Sequence, residues 1–213
     1  MSAAGQSIVQ AIVLVEDLLE ARRQFEGLGF AVSDGGRHPG RGTANLIVPF
    51  GQQYLELLAI VDEAEALASP QGRPVAAAFS RRGPGLARWS VEPSDIAAIS
   101  ARLGYPVERR ERVRPDGRTI TWQSVGVDES WAEPWRCAFM AWDDPELHPA
   151  RAVSAHANGA TGFAQLEVVV PDVDAAVDWL GGPAPPGLVL REGADTGPRA
   201  LTIAGVSGPI AVA

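Results

Sequence analysis

Runs of β-branched residues alternate with apolar residues at helical spacing, a pattern that predicts strands followed by helices. A β-branched run at 8–15 leads to Asp17, and an amphipathic helical pattern follows at 18–28. Glycine and proline positions then predict a short strand, a loop and two further strands, at 30–33, 34–42, 43–49 and 53–60 respectively. The first unit is therefore expected to run strand, helix and three strands.

The opening pattern recurs near the end of the chain. Gln10 and Asp17 reappear as Gln165 and Asp172, both 155 positions further on. In each copy the glutamine lies in the predicted strand, and the aspartate lies between that strand and the helix. A weaker copy lies between them at 86–96. Three related units are therefore predicted.

The second and third units are expected to repeat the order of the first. The second unit is predicted as strand 86–92, helix 94–103 and strands 107–113, 118–125 and 137–142, after a connector at 62–84 with one short helix at 74–80. A second connector at 143–160 leads to strand 163–170, helix 172–180, a Pro/Gly-rich link and strands near 199–204 and 209–212.

Composition limits the classes of function. The chain has 213 residues, 46% of them apolar, and a net charge of −8, which argues against nucleic acid and anionic membranes as partners. The single cysteine, Cys137, cannot form an internal disulfide, and neither a leader nor a membrane-spanning run is recognised, so a cytoplasmic protein is expected. All 18 basic residues are arginine, which excludes lysine Schiff-base chemistry.

Six motifs in fixed order between residues 8 and 143 carry a family resemblance. They are Asp17-Leu18-Leu19-Glu20-Ala21-Arg22, Gly27-Leu28-Gly29-Phe30, His38-Pro39-Gly40-Arg41-Gly42-Thr43-Ala44-Asn45, Tyr54-Leu55-Glu56-Leu57-Leu58, Arg114-Pro115-Asp116-Gly117-Arg118 with Trp122, and Phe139-Met140-Ala141-Trp142-Asp143. With them the chain resembles the vicinal oxygen chelate superfamily, in its branch of glyoxalase-like domains.

The resemblance implies an α+β protein of repeated beta-alpha-beta-beta-beta modules that form a cupped mixed sheet, the glyoxalase/bleomycin resistance/dioxygenase fold. We expect one glyoxalase-like domain at 1–143, with module one at 7–60 and module two at 85–143. Residues 144–213 are expected to form a third, truncated module packed on the same domain.

The resemblance also indicates where a metal would bind. Metal-dependent members take ligands from the first strand of each module, usually His, and from the last strand, usually Glu. The corresponding positions here are Gln10 and Glu56 in unit one, Arg88 and Ala141 in unit two, and Gln165 and a residue within 209–213 in unit three. Glutamine occurs at the first-strand position of some glyoxalases. One carboxylate without an imidazole is nevertheless a poor site for a transition metal, so no metal and no cofactor are expected.

Glu56 is the candidate catalytic residue, because strand alternation separates it from Leu55 and Leu57 and turns it toward the cup. Two roles stay open: a general base, or a carboxylate neutralised by Arg88, whose guanidinium would occupy the place of a metal. The other candidate contacts to a ligand are His38, Asn45, Arg114, Trp122 and Trp142.

Several other residues suggest simpler roles. His38 lies in a Gly-rich loop and is expected to be exposed or half exposed. An unperturbed imidazole there would suit acid–base work near neutral pH, and the alternative is a role in loop architecture. The mixed charges at 108–112 suggest a solvated face. His148 and His156 are expected to be linker residues, Cys137 a packing residue, and Trp131 and Trp135 loop residues that cover the cup.

Two functional hypotheses follow. The first is a metal-independent glyoxalase-like protein that binds a small organic molecule. The alternative is a metal-dependent lyase, isomerase or dioxygenase that works through a metal-bound oxyanion, with Gln10 and Glu56 as its surviving ligands. The expected partner is a small organic molecule, and a homodimer is left open. The fold does not identify the substrate.

Overall fold

The first module builds one half of a large sheet. The computed structural model describes residues 5–114, 116–151 and 155–205, together with the backbone of 210–212. The elements of the first module are β1 (Ser7–Leu14), α1 (Leu18–Gly27), β2 (Ser33–His38), β3 (Thr43–Pro49) and β4 (Tyr54–Ile60). Within this half the strand order is β2-β3-β4-β1, and β1 and β4 are parallel.

The second module builds the other half of the same sheet with the same internal order. After α2 (Glu63–Ala68) and α3 (Gly72–Arg82) come β5 (Gly85–Glu92), α4 (Ile96–Leu103), β6 (Glu108–Val113), β7 (Thr119–Val125), α5 (Val127–Ala132) and β8 (Ala138–Trp142). The halves join where β1 and β5 pair antiparallel, which gives β2-β3-β4-β1-β5-β8-β7-β6. The predicted α+β class with a curved mixed sheet is confirmed.

The third unit forms a separate four-stranded sheet. Two short 3₁₀ turns, Pro145–Leu147 and Pro149–Arg151, precede β9 (Gly162–Val170), α6 (Val173–Leu180), β10 (Leu188–Glu192), β11 (Gly197–Ala204) and β12 (Ile210–Val212). The strand order is β10-β9-β11-β12, so β9 lies inside the sheet, whereas β1 and β5 each lie at one end of their module's half. The unit therefore shares the strand, Asp and helix opening of the other two but not their strand order. β10 lies in the link that the sequence left unassigned.

The aspartates that separate strands from helices are N-caps. Asp17 accepts a hydrogen bond from the Glu20 amide at 2.8 Å, and Asp172 accepts one from the Ala175 amide at 2.7 Å. Asp95 caps the helix of the second module in the same way. These contacts satisfy amide donors that the helix leaves free, and they confirm the predicted start of each unit.

The predicted loop at 34–42 is corrected in its first half. Residues 34–38 belong to β2, which pairs with β3 across a bulge between Asp34 and Gly36. A Cβ on Gly35 would lie 2.0 Å from the side-chain oxygen of Asn45. Gly35 and Gly36 are thus strand residues, and Gly35 leaves room for a neighbouring side chain.

One apolar core joins the two sheets. Trp89 and Phe139 of the large sheet belong to the same cluster of buried residues as Leu166 and Leu201 of the small one. Across the junction, Trp179 Nε1 donates a 3.0 Å hydrogen bond to the carbonyl of Cys137. The thiol of Cys137 is buried within this core, which raises its pKa to about 12. The division at residue 143 stays a prediction.

Helices of the described part of the chain are all too short or too polar to cross a bilayer.

Candidate functional site

A cavity of about 400 Å³ lies against the large sheet. Both modules contribute to its walls, and α3 and α5 close part of its side. Its lining includes six of the seven predicted site residues: Glu56, His38, Asn45, Arg88, Trp122 and Trp142.

Glu56 lies on the floor of this cavity, as the alternation along β4 predicts, and is 8% exposed. The neighbouring strands hold it from both sides. Gln10 Nε2 on β1 donates to Glu56 Oε2 at 2.5 Å, and Asn45 Nδ2 on β3 donates to Glu56 Oε1 at 2.7 Å. Each carboxylate oxygen therefore accepts one amide hydrogen bond, which fixes the carboxylate plane.

Further contacts determine which way the two amides point. Arg112 Nη1 donates to Asn45 Oδ1 at 3.1 Å, so the nitrogen of Asn45 is left to face Glu56. On the other side Ser90 Oγ donates to Gln10 Oε1 at 2.8 Å, which leaves Gln10 Nε2 for the carboxylate. Because a guanidinium can only donate, Arg112 fixes the direction of this network at one end.

The predicted ion pair between Glu56 and Arg88 is wrong. No nitrogen of Arg88 lies within ion-pair distance of Glu56, although both side chains are described. Instead Arg88 Nε donates to Ser130 Oγ at 2.7 Å, and its guanidinium lies 5.5 Å from the ring centroid of Trp131. Burial lowers the pKa of Arg88 to about 10, which leaves it cationic at neutral pH.

Arg88 is displaced from Glu56 because both residues flank β1. Ile12 of β1 is paired with Glu56 of β4 on one side and with Arg88 of β5 on the other. A whole strand therefore separates the two charges. Ser90 and Gln10 connect them indirectly, since Arg88 Nη2 lies 3.4 Å from Ser90 Oγ.

His38 is partly buried and lines the cavity. Its ring nitrogens lie 2.9 Å from Thr43 Oγ1 and 3.1 Å from Arg112 Nη1. Since the guanidinium donates, Nε2 must accept, and the neutral ring carries its proton on Nδ1 facing Thr43. Burial, and then the charges of Arg112 and Arg41, lower the pKa of His38 to about 3. The pKa of this imidazole is therefore well below the unperturbed value that the sequence suggested.

Three arginines form a cationic rim that the sequence interpretation missed. Arg110 and Arg112 of β6 line the cavity together with Arg41 from the loop before β3. Arg109, which directly precedes Arg110, points outward, and its side chain is 72% exposed. The mixed charges of this strand suggested a solvated face, but Arg110 and Arg112 are partly buried against the cavity, and the exposed Glu111 between them also borders it. A period of two in a strand of a cupped sheet was the signal for this arrangement.

Aromatic rings line the cavity next to this rim, since Trp122 of β7 is the cross-strand partner of Arg110 on β6. Trp122 and Trp142 are paired across β7 and β8, and their ring centroids lie 5.1 Å apart. Trp131, predicted in a loop, lies on α5 and lines the cavity. Trp135 is buried beside Arg136, with the guanidinium 4.9 Å from its ring centroid, and it does not line the cavity.

Arg114 is the predicted contact that the structure places elsewhere. It follows the end of β6 and lines a separate small cavity of about 20 Å³. Its Nε lies 3.5 Å from a carboxylate oxygen of Asp116. Arg112, two positions earlier and still within the strand, takes the place in the large cavity that the motif suggested for Arg114.

The two histidines of the second connector are buried rather than linker residues. His148 packs its ring 5.0 Å from that of Trp142, and its pKa falls to about 4, mainly through burial. His156 Nδ1 accepts from the Ala31 amide at 2.9 Å, and Nε2 donates to the Pro49 carbonyl at 2.8 Å. Through these two hydrogen bonds His156 links the connector to the first module.

The residues around Glu56 do not fit a divalent cation. Both carboxylate oxygens already face amide hydrogens, and the oxygens of Gln10 and Asn45 point away from Glu56. Gln165 is exposed on the second sheet, and the proposed last-strand position at 209–213 lies outside the residues whose side chains are described. Within the described residues no cluster of three His, Cys, Asp or Glu side chains offers a metal site.

The architecture and the cavity together define the class of protein. Two modules joined edge to edge in one curved sheet around a polar cavity are the architecture of the vicinal oxygen chelate superfamily. A family model described as a glyoxalase-like domain matches residues 11–183, and the chain belongs to that family.

Solved structures are similar in fold. A hypothetical protein from Staphylococcus aureus shares 15% identity, with 97% of this chain and 84% of that chain covered and a TM-score of 0.63. Methylmalonyl-CoA epimerase from Mycobacterium tuberculosis shares 17% identity over 63% of this chain and 85% of that chain, with a TM-score of 0.41. No curated protein matches the sequence.

Proposed function

We propose that this glyoxalase-like protein binds a small organic molecule in the 400 Å³ cavity and that it does so without a catalytic metal. A cavity of this size suits a compact organic ligand. The observation that carries the proposal is the floor of the cavity, where Gln10 and Asn45 hold the carboxylate of Glu56 in place of metal ligands.

Glu56 is the proposed functional group for any reaction at this site. Its carboxylate faces the cavity, and its plane is fixed before a ligand arrives, which lowers the cost of orienting it. A carboxylate in this position can accept a hydrogen bond, or a proton, from the ligand. The paired rings of Trp122 and Trp142 supply an apolar wall for the body of the molecule.

The metal-dependent alternative requires rearrangement of this network. A cation could approach Glu56 only if the amide hydrogens of Gln10 and Asn45 turned away, which would break their contacts to Ser90 and Arg112. We therefore expect protein purified without chelator to hold far less than one equivalent of Ni, Zn, Mn or Fe. EDTA should leave its melting temperature unchanged, since no bound metal would be removed.

Two measurements test the proposal. Elemental analysis that finds about one equivalent of any of these metals would establish the alternative. Binding is tested by ligand-observed NMR with a fragment library that contains acids, bases and neutral molecules. Binding should be lost in Met140→Trp, which fills the cavity, and kept in Leu19→Trp on the exposed face of α1. Fragments that bind a folded Met140→Trp variant unchanged would contradict the cavity as the site.

A further inference from the structure

We propose that the ligand carries an oxyanion group, in the simplest case a carboxylate, which binds Arg112 and Arg41 at the rim of the cavity. This inference rests on the proposed function, because it assigns a chemical class to the ligand of the same cavity.

Part of the positive charge of the rim has no acidic partner in the protein, although Arg110 pairs with Glu108. Within the described residues no carboxylate lies within ion-pair distance of Arg41 or Arg112. Arg37, four residues before Arg41, differs because its guanidinium pairs with Glu65 at 2.7 Å. A protein with a net charge of −8 thus leaves two cavity arginines without an acidic partner. An anionic ligand would supply that partner.

Arg112 is held in place but has donors to spare. Its Nη1 makes both of its contacts, to His38 Nε2 and to Asn45 Oδ1. Its Nε is buried, with no hydrogen-bond partner among the described residues. Nη2 likewise makes no hydrogen bond to a described residue. A guanidinium fixed through one nitrogen and free at another is preorganised for a planar oxyanion.

The neighbouring arginines repel one another. Burial, followed by the charges of Arg110 and Arg112, lowers the pKa of Arg41. His38 does not add to this charge, because its ring is neutral at physiological pH. An oxyanion between the guanidinium groups would relieve their repulsion, so its binding should be favoured by charge as well as by hydrogen bonds.

Glu56 determines the orientation of such a ligand. Its negative charge on the floor excludes a second anion there, so the oxyanion must lie toward the arginine rim. The remainder of the molecule would lie against Trp122 and Trp142 and present its polar hydrogens to Glu56. The predicted ligand is therefore an organic acid with an apolar or flat body.

The test uses matched pairs of small molecules. Aryl and alkyl carboxylic acids are compared with their primary amides, which have nearly the same shape but no charge, and with the corresponding phosphonates. Affinities are measured by isothermal titration calorimetry. We expect acids to bind about ten- to hundredfold more tightly than amides, as the loss of a charged hydrogen-bond pair predicts. Tighter binding of phosphonates than of carboxylates would identify phosphate as the natural oxyanion, and it would support the inference.

Variants locate the contact. Arg112→Met and Arg41→Met should each weaken acid binding about tenfold or more and leave amide binding unchanged. Arg109→Met is the matched control, since it removes the same charge from the outward face of the same strand, and it should bind acids normally. Arg41 lies outside the sheet, so its variant remains informative if Arg112→Met fails to fold.

The outcomes separate this inference from the proposed function. Amides that bind as tightly as acids would overturn the oxyanion while the cavity remained a binding site. Acid binding that Arg112→Met, Arg41→Met and Arg109→Met affect equally would do the same. If none of the acids, amides or phosphonates binds, and the fragment library also gives no hits by ligand-observed NMR, both proposals are overturned.

Discussion

Glu56 is held by a hydrogen-bond network whose direction is determined by residues on other strands. Arg112 donates to Asn45, Ser90 donates to Gln10, and the hydrogens of both amides converge on the carboxylate. Glu56, Gln10, Asn45 and Ser90 are buried, and Arg112 is partly buried. Buried networks of this kind are costly to interrupt, because each lost member leaves a partner without a hydrogen bond.

The first prediction concerns Gln10→Leu. This change leaves Glu56 Oε2 and the Ser90 hydroxyl without their amide partner, and it should lower the free energy of unfolding by about 2–4 kcal/mol. The repeat offers a matched control: Gln165 stands at the corresponding position of β9 but is exposed, so Gln165→Leu should change stability by less than about 0.5 kcal/mol. Urea unfolding followed by circular dichroism measures both. Equal effects of the two changes would mean that the network contributes nothing.

The second prediction concerns pH. His38 and His148 have folded-state pKa values of about 3 and about 4, below the unfolded value of 6.5. Protons therefore bind the unfolded chain more readily, and stability is fully present above pH 6.5 and is lost as the pH falls toward those values. Each histidine contributes up to about 1.4 kcal/mol per pH unit in that window.

The measurement is urea unfolding at pH 7 and pH 5. For His148→Gln the loss of stability between these values should be smaller than in the wild type by about 2 kcal/mol, and the same holds for His38→Gln. NMR titration of the imidazole ring protons provides an independent check. A ring of His38 that titrates between pH 6 and 7 would show that it is neither buried nor next to cationic arginines.

At the residue scale, strand alternation alone places Glu56 on the cavity, but it does not identify what holds it. Asn45, Arg112 and Gln10 come from three different strands, and their contacts depend on sheet order and register. The interpretation of Arg88 failed for the same reason. It assumed that two positions facing one site touch, whereas β1 lies between them.

At the scale of elements, the structure differs from the sequence prediction most clearly at β2 and β6. Gly35 and Gly36 favour a loop by local rules, yet this segment is an edge strand, and the missing side chain of Gly35 makes room for Asn45. In β6, charges on both faces resemble a solvated strand until the curvature of the sheet turns one face inward. Local propensity does not contain this information, because it depends on the neighbouring strand.

The third prediction is Gly35→Ala. The new methyl group would lie 2.0 Å from the Asn45 side-chain oxygen and 2.9 Å from its backbone carbonyl, so Asn45 or the strand must move. We expect a loss of about 2 kcal/mol or more in the free energy of unfolding, together with weaker ligand binding. Gly27→Ala is the control, since its Cβ meets nothing within 4 Å, and it should be neutral or slightly stabilising. A Gly35→Ala protein as stable as the control would show that Asn45 is not fixed.

At the scale of the whole molecule, the third unit completes the core of the first two. Arg102 of α4 donates to the carbonyls of Asp178 and Trp179 at the end of α6, and Gln53 accepts from the amide of Phe163. The Arg102 contacts join α4 to α6, and the Gln53 contact joins the residue before β4 to β9, so both link the third unit to the first two. The shared apolar cluster links the same units. Such an arrangement favours cooperative unfolding.

The fourth prediction follows from this shared core. Leu201 of β11 is fully buried, so Leu201→Ala should destabilise the protein by about 2–5 kcal/mol. Tryptophan fluorescence, which reports largely on the two modules of the large sheet, and circular dichroism should then show one transition at the same, lowered midpoint. Leu19→Ala on the exposed face of α1 should leave the midpoint almost unchanged. Two separate transitions would mean that residues 144–213 fold as an independent unit.

By itself the sequence determined the strand and helix that open each unit, the aspartate caps between them and the inward position of Glu56. Each depends on neighbours within one turn or one strand, where periodicity and capping chemistry decide the structure. Tertiary structure alone decided the partners of Glu56, the cationic rim and the different strand order of the third unit. These depend on which strands lie side by side and which face is enclosed, and the pairing of residues far apart in the chain leaves no local pattern to detect.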